Sequence, residues 1–340
     1  MKIRLYLEIC SACNLKCQYC FEKEYAAKFI NAEALVKFTD TIRPLINDIV
    51  ITGGEPTLHT EFYELVEHFS KYTNIVITTN GTLLNVKKIR DVLSRHPNVR
   101  LQFSIDAISK PFMDFVRGEG VYERVLQAIL ELKDFYSQLS ISSTLTAQTP
   151  EMLQDIYTFA KKYRINCYFP SLLPYGALAT NWNSLLPQVE DYIQSEDTLF
   201  DLIANDESNT IHSNKLDIIL GNVVGNDNLE NEFVQIIKID AAGHILSCPA
   251  TDYSNENSRI AHISAISTFQ ELENLLAKAS GCASANLISS DCANCEVENL
   301  CHRIFCGNCI HLKAPNTNIV KYFCKTFKHH YTEIKVAMEV

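Results

Sequence analysis

The chain has 340 residues, enough for one large domain plus a smaller one and for a hydrophobic core that needs no disulfides. Its 30 Lys and Arg residues against 40 Asp and Glu residues give a formal net charge of −10, which argues against a general affinity for nucleic acid or an anionic membrane. The sequence has no apolar run of about 18 residues and no signal-peptide pattern, so we expect a cytoplasmic protein that spans no membrane.

The first 180 residues alternate between strand-like and helix-like segments. Apolar runs rich in β-forming residues predict six strands, at residues 2–10, 48–52, 74–79, 99–105, 140–146 and 165–172. Amphipathic stretches predict the helices between them, at residues 31–46, 60–72, 84–94, 110–135 and 150–163. This alternation predicts a parallel sheet with helical crossovers, in which ligands collect at the carboxyl ends of the strands.

The second half of the chain is less regular. Residues 181–232 have the pattern of helices joined by polar loops, and residues 234–240 and 244–248 flank a short turn that predicts a β-hairpin. From residue 280 to 324 the chain is rich in cysteine and poor in apolar periodicity, so we expect metal to hold this segment together. We therefore divide the chain into a core domain of residues 1–180, a helical bridge of residues 181–232 and a Cys-rich domain of residues 233–340.

The thirteen cysteines form two dense groups. Four lie between positions 10 and 20, eight lie between positions 248 and 324, and Cys167 stands alone. In a reducing compartment such groups indicate metal binding or catalysis rather than structural disulfides. Cys10 and Cys167 fall on predicted apolar strands, so we interpret both as core residues.

Three cysteines follow the first predicted strand on one short loop. Cys13, Cys17 and Cys20 are separated by three and by two residues. A structural zinc ion takes four ligands, whereas an iron–sulfur cube held by three cysteines leaves one iron open to a substrate. A zinc knuckle that borrows Cys10 as its fourth ligand is the alternative.

The spacing of these cysteines resembles the CxxxCxΦC signature of the radical S-adenosylmethionine (SAM) superfamily, with Tyr19 at the aromatic position. The resemblance covers about residues 1–180 and implies a partial (β/α)6 TIM-like barrel. It also implies that the open iron of a [4Fe–4S] cluster binds SAM, and that an electron donor such as flavodoxin or ferredoxin drives its cleavage to a 5′-deoxyadenosyl radical. That radical would abstract hydrogen from the substrate, because in such enzymes the cofactor supplies the difficult chemistry.

Further motifs follow the other predicted strands in the order that this family has them. Gly53, Gly54 and Glu55 resemble its GGEP motif, in which glycines allow close backbone approach and the carboxylate meets the SAM ammonium. Arg117 matches an arginine whose planar guanidinium suits the SAM carboxylate. The resemblance completes the set of SAM contacts with Tyr19, Asn80, Ser104, Asp106 and Thr144.

The eight C-terminal cysteines are enough for two further [4Fe–4S] clusters. The run from Cys292 through Cys295 to Cys301, with Cys324 beyond it, resembles the SPASM domain of peptide-modifying radical SAM enzymes. We assign these four to one auxiliary cluster, which leaves Cys248, Cys282, Cys306 and Cys309 for the other. The sequence departs from the SPASM pattern, because four residues rather than three separate Cys301 from Cys306. A zinc ribbon on Cys292, Cys295, Cys306 and Cys309 is the alternative.

The SPASM-like segment implies a ribosomally made peptide or protein as the substrate. The modification would be a thioether or carbon–carbon crosslink, an epimerisation or an oxidation, and no motif marks a catalytic acid or base. We expect leader recognition to come from a separate protein, from the barrel mouth or from residues 181–232. The alternatives are a radical SAM enzyme that acts on a small molecule, and a zinc or iron–sulfur scaffold or sensor without SAM chemistry.

Overall fold

The computed structural model describes residues 2–20, 27–170, 172, 178–223, 234–246, 259–278, 295–297 and 317–338. The strands in these segments are β1 (Lys2–Glu8), β2 (Ile46–Thr52), β3 (Asn74–Thr79), β4 (Val99–Ser104), β5 (Leu139–Ser142), β6 (Asn166–Phe169), β7 (Ile211–Ser213), β8 (Val234–Ile239), β9 (His244–Leu246) and β10 (Arg259–His262). The helices are α1 (Ala32–Ile42), α2 (Phe62–Phe69), α3 (Val86–Arg95), α4 (Lys110–Arg117), α5 (Val121–Glu131), α6 (Pro150–Tyr163), α7 (Leu178–Leu185), α8 (Val189–Ala204), α9 (Asn214–Val223), α10 (Phe269–Lys278) and α11 (Thr317–Met338).

All ten strands belong to one sheet, in the order β10-β9-β8-β1-β2-β3-β4-β5-β6-β7. Strands β1 to β7 pair in parallel with their sequence neighbours, and β8 lies parallel to β1 on its other side. The predicted six-stranded parallel core of a TIM-like barrel is therefore confirmed. The predicted hairpin is present as the antiparallel pair β8 and β9, and the chain beyond residue 180 extends the sheet at both edges.

Several sequence predictions differ from the structure. The strands expected at residues 2–10 and 165–172 end at Glu8 and Phe169, and residues 181–232, expected to be helices and loops, also contain β7. Two further differences have a visible cause. The single helix expected at residues 110–135 is two helices, because Gly118 and Gly120 between them take φ values of +118° and +74°, which no helical residue adopts. The strand expected at residues 140–146 ends at Ser142. Beyond it, the N–H of Thr144 donates to the side chain of Asp106 rather than to a neighbouring strand.

The hydrophobic core lies between the sheet and the helices that cover its outer face. On β1 the side chains of Ile3, Leu5 and Leu7 are at most 1 % exposed, and this period of two places the intervening residues on the inner face. Cys10 and Cys167 are fully buried, as predicted for core cysteines. None of the helices in the described segments combines the length and the apolar character that crossing a bilayer requires.

A buried polar network joins α8, α9 and α11. The ammonium group of Lys215 donates to Oε2 of Glu196 at 2.7 Å and to Nδ1 of His330 at 3.2 Å, and all three residues are at most 5 % exposed. Burial and the charge of Lys215 lower the pKa of His330 to about 2, so its ring is neutral. Since Nδ1 accepts from Lys215, the single ring proton lies on Nε2. His330, Asp197 and His329 lie close enough together to hold one metal ion. However, Nε2 of His330 carries the ring proton and therefore has no free lone pair with which to bind the ion.

Replacing Glu196 by glutamine should destabilise the protein by about 3–5 kcal/mol, because it leaves the buried ammonium of Lys215 without its counter-charge. Urea unfolding monitored by circular dichroism measures the loss. Glu190→Gln on the same helix removes an exposed partner of Lys325 and should change stability little. Equal, small losses in the two variants would contradict the importance of the buried pair.

Candidate functional site

A cavity of about 290 Å³ opens at the carboxyl ends of the parallel strands. Polar residues at or next to the ends of β2 to β5 line it, namely Thr52, Thr78, Ser104 and Ser142. The loop after β1 and the loop after β2 supply the other side of the cavity. This is where ligands bind in parallel α/β sheets.

The three loop cysteines face this cavity together. Cys13 is exposed, Cys17 and Cys20 are half-buried, and all three line the cavity wall. A tight turn, closed by the N–H of Cys20 donating to the carbonyl of Cys17 at 3.1 Å, brings the last two close. Three thiols on one loop beside an open cavity are the donor set that an iron–sulfur cube with one open iron needs.

Cys10 does not join these three. Its thiol donates to the carbonyl oxygen of Glu55 at 3.1 Å, and burial raises its pKa to about 12. Because the Cys10 thiol is engaged by this backbone carbonyl, it is not placed to be the fourth ligand that a zinc knuckle requires. This geometry disfavours the zinc alternative at this loop.

The glycine pair after β2 packs directly against the cysteine loop. A Cβ atom on Gly54 would lie 2.2 Å from the carbonyl oxygen of Ala12, and one on Gly53 would lie 2.4 Å from that of Cys10. Backbone hydrogen bonds of 2.8 Å from Gly54 to Cys10 and from Glu55 to Ala12 hold the two segments together. The glycines are therefore required for the packing of these loops, in addition to the close ligand approach that the sequence suggested.

Glu55 is a buried carboxylate held from several sides. Its Oε1 accepts from the hydroxyls of Thr57 and Thr79 at 2.6 and 2.7 Å, and its Oε2 accepts from the N–H of Asn80 at 2.7 Å. Burial raises the pKa of Glu55, and these hydrogen bonds oppose that rise. Because Glu55 also lines the cavity and Oε2 has a further lone pair, it can receive a cationic group there.

Asp106, Arg117 and Tyr19 form one hydrogen-bonded unit. The Nε and Nη2 atoms of Arg117 donate to the two carboxylate oxygens of Asp106 at 2.7 and 3.1 Å. Nη2 also donates to the hydroxyl of Tyr19, which in turn donates to Asp106. Burial lowers the pKa of Arg117, but the charge of Asp106 opposes it and the net shift is upward, so the guanidinium is charged.

The predicted SAM contacts thus divide into two kinds. Asp106 is fully buried and is absent from the cavity wall, so the structure places it behind Arg117 as a residue that orients it. The other predicted contacts line the cavity, and they are Tyr19, Gly53, Gly54, Glu55, Asn80, Ser104, Arg117 and Thr144. The sequence prediction missed Thr52 and Ser142, which also line the cavity. Thr52 ends the strand predicted at residues 48–52, which was a usable signal, whereas Ser142 lies inside the strand predicted at residues 140–146.

Of the eight C-terminal cysteines, two lie within the described residues. Cys295 and Cys324 are both half-buried, the latter on α11. The other six lie outside the described residues, and they are Cys248, Cys282, Cys292, Cys301, Cys306 and Cys309. The assignment of auxiliary clusters is therefore still a prediction from the sequence.

Comparison with known proteins identifies the class to which this site belongs. Residues 7–160 match the family model of the radical SAM superfamily, so this part of the chain is a radical SAM domain. The mycofactocin maturase MftC of Mycolicibacterium smegmatis is 27% identical over 202 residues, which are 58% of this chain and 51% of the maturase. A GTP 3′,8-cyclase of Clostridium perfringens is 26% identical over 183 residues, which are 51% of this chain and 56% of the cyclase. The chain spans about half the length of these curated relatives.

Solved structures share the fold over most of the chain. SuiB of Streptococcus suis, bound to SAM, superposes with a TM-score of 0.73 at 17% identity. The aligned region covers 93% of this chain and 75% of SuiB. The protein anSMEcpe, bound to SAM and the Cp18Cys peptide, superposes with a TM-score of 0.71 at 20% identity. The aligned region covers 99% of this chain and 100% of anSMEcpe. At these identities the likeness shows the fold alone.

Proposed function

We propose that this protein is a radical SAM enzyme that modifies a peptide or protein. The observation that carries the proposal is the placement of Cys13, Cys17 and Cys20 on one loop, beside a cavity that also contains the Glu55 carboxylate and the Arg117 guanidinium. In the proposal the three thiolates hold a [4Fe–4S] cluster. When bound, the cluster and SAM supply the electron transfer and the radical.

The residues of the chain bind and orient SAM in this proposal. Glu55 receives its ammonium group. Arg117 receives its carboxylate with the Nη1 nitrogen, which has a second N–H besides the one directed at Cys17. Ser104, Thr144 and Asn80 offer hydrogen-bonding groups to the ribose. Glu55 and Arg117 are at most 7 % exposed, and this burial strengthens their electrostatic contacts.

A peptide substrate is supported by the kind of relatives that the chain has. MftC is named a maturase, one SuiB structure contains its precursor peptide SuiA, and anSMEcpe has been solved with a peptide. The C-terminal cysteine pattern of this chain, which resembles a SPASM domain, supports the same substrate class. The proposal includes two auxiliary [4Fe–4S] clusters, a flavodoxin or ferredoxin as electron donor and a separate protein that binds a leader.

A small-molecule substrate is the second candidate function. The observation that favours it is the similarity to GTP 3′,8-cyclases over about half of the chain. This similarity lies at the same level of identity as that to MftC, so identity by itself does not separate the two.

One assay distinguishes these substrates. We expect anaerobically reconstituted protein to contain about twelve irons per chain, four for each of three cubane clusters, and to form 5′-deoxyadenosine from SAM on reduction. With deuterated precursor peptides encoded near its gene, mass spectrometry should find deuterium in 5′-deoxyadenosine and a changed peptide mass. Deuterium transfer from labelled GTP, with unchanged peptides, would support the small-molecule function. Bound zinc without 5′-deoxyadenosine would overturn the proposal.

A further inference from the structure

The positive charge of Arg117 lies beside one of the three loop cysteines. Its Nη1 nitrogen donates to Sγ of Cys17 at 3.9 Å, a hydrogen bond to sulfur. Arg117 ends α4 and is 7 % exposed. The guanidinium is therefore close enough to stabilise negative charge on this sulfur.

Three contacts prevent Arg117 from turning away from Cys17. The Nε and Nη2 nitrogens are engaged by the Asp106 carboxylate and the Tyr19 hydroxyl, so Nη1 is the nitrogen directed at the sulfur. The N–H of Thr144 donates to Asp106 at 3.1 Å and fixes that carboxylate in turn. The guanidinium also lies over the ring of Tyr19, with its carbon 5.4 Å from the ring centroid.

From this arrangement we infer that Arg117, positioned by Asp106 and Tyr19, raises the reduction potential of a cluster held by the cysteine loop. This inference rests on the proposed function, since it assumes that the loop holds a cluster. Reduction adds negative charge to the cluster and its sulfurs, and hydrogen bonds to the sulfurs are among the factors that set the potential. The Asp106 carboxylate cancels part of the positive charge at long range, but the N–H dipole of Nη1 still points at Cys17.

The aromatic position of the cysteine motif has a specific role in this inference. The ring of Tyr19 lines the cavity, and its hydroxyl bridges Arg117 and Asp106. Phenylalanine would keep the ring and remove the bridge. Tyr19→Phe is therefore a milder perturbation of the same unit than the loss of the guanidinium.

Potentiometric titration followed by EPR, in the absence of SAM, tests the inference. The signal of the loop cluster is identified as the one that Cys17→Ala removes, which separates it from any auxiliary cluster. We expect the midpoint potential to fall in Arg117→Gln and to fall less in Arg117→Lys and Tyr19→Phe. Arg90→Gln on α3, which removes a surface partner of Asp134, should leave the potential unchanged.

The outcomes separate this inference from the proposed function. An unchanged potential in Arg117→Gln with full iron content would overturn the inference and leave the function standing. If Arg117→Gln loses the cluster, the potentials of Tyr19→Phe and Arg117→Lys test the inference instead. Unchanged potentials in both variants would overturn the inference. A native protein that binds no cluster on this loop would instead overturn the proposed function.

Discussion

Cys17→Ala should reduce 5′-deoxyadenosine formation to the level seen without protein. The variant leaves two thiolates on the loop, too few to hold a cubane cluster with one open iron. Chromatographic measurement of 5′-deoxyadenosine after anaerobic reconstitution and reduction checks this result. Any C-terminal clusters should survive, so we expect the variant to lose about four irons per chain rather than all of its iron.

Cys10→Ala is the matched control for this experiment. It removes a thiol three residues before the loop, whose hydrogen bond goes to the carbonyl of Glu55 rather than to a metal. We expect this variant to keep its iron and most of its SAM cleavage, with a modest loss of stability because Cys10 is buried. Loss of the loop cluster in Cys10→Ala, or SAM cleavage by Cys17→Ala, would refute the ligand assignment.

Gly54→Ala should weaken SAM binding by about tenfold or more, a cost of at least about 1.4 kcal/mol. The added Cβ would lie 2.2 Å from a backbone oxygen of the cysteine loop, so either the loop or the end of β2 must move. Either movement displaces Glu55 relative to the cysteine loop, to which its N–H is bonded at the carbonyl of Ala12. Isothermal titration of the reconstituted variant with SAM, together with its iron content, measures the effect.

Gly120→Ala tests whether this effect is specific to the position. Gly120 precedes α5 with a φ of +74°, and the atom nearest to its added Cβ is on the flexible Arg124 side chain at 3.5 Å. We expect a loss of stability of about 1 kcal/mol from the strained backbone and no change in SAM affinity. If both variants bind SAM equally well, the packing of Gly54 against the loop has no bearing on the site.

The sequence determined most of the central sheet and the position of its site. The β-branched runs and amphipathic stretches identified the parallel strands β1 to β6, because periods of 2 and 3.6 are visible in a single sequence. The order of these elements also fixed where their polar ends meet. The resemblance to a known family assigned Cys13 and Cys17 to a cluster and Glu55 and Arg117 to SAM. These four residues line the cavity at the strand ends, and their binding roles stay predictions.

Only the tertiary structure showed where the strands outside this core pair with the sheet and which polar side chains are buried. β7 and β8 attach to opposite edges of the core sheet, which a local pattern cannot reveal because strand pairing joins residues far apart in the chain. Likewise, Asp106 carried the signal of a ligand contact, and its burial behind Arg117 emerged from the packing of α4 against the end of β4. A sequence pattern specifies which residue types follow a strand, whereas their exposure and partners depend on side chains brought together from distant segments.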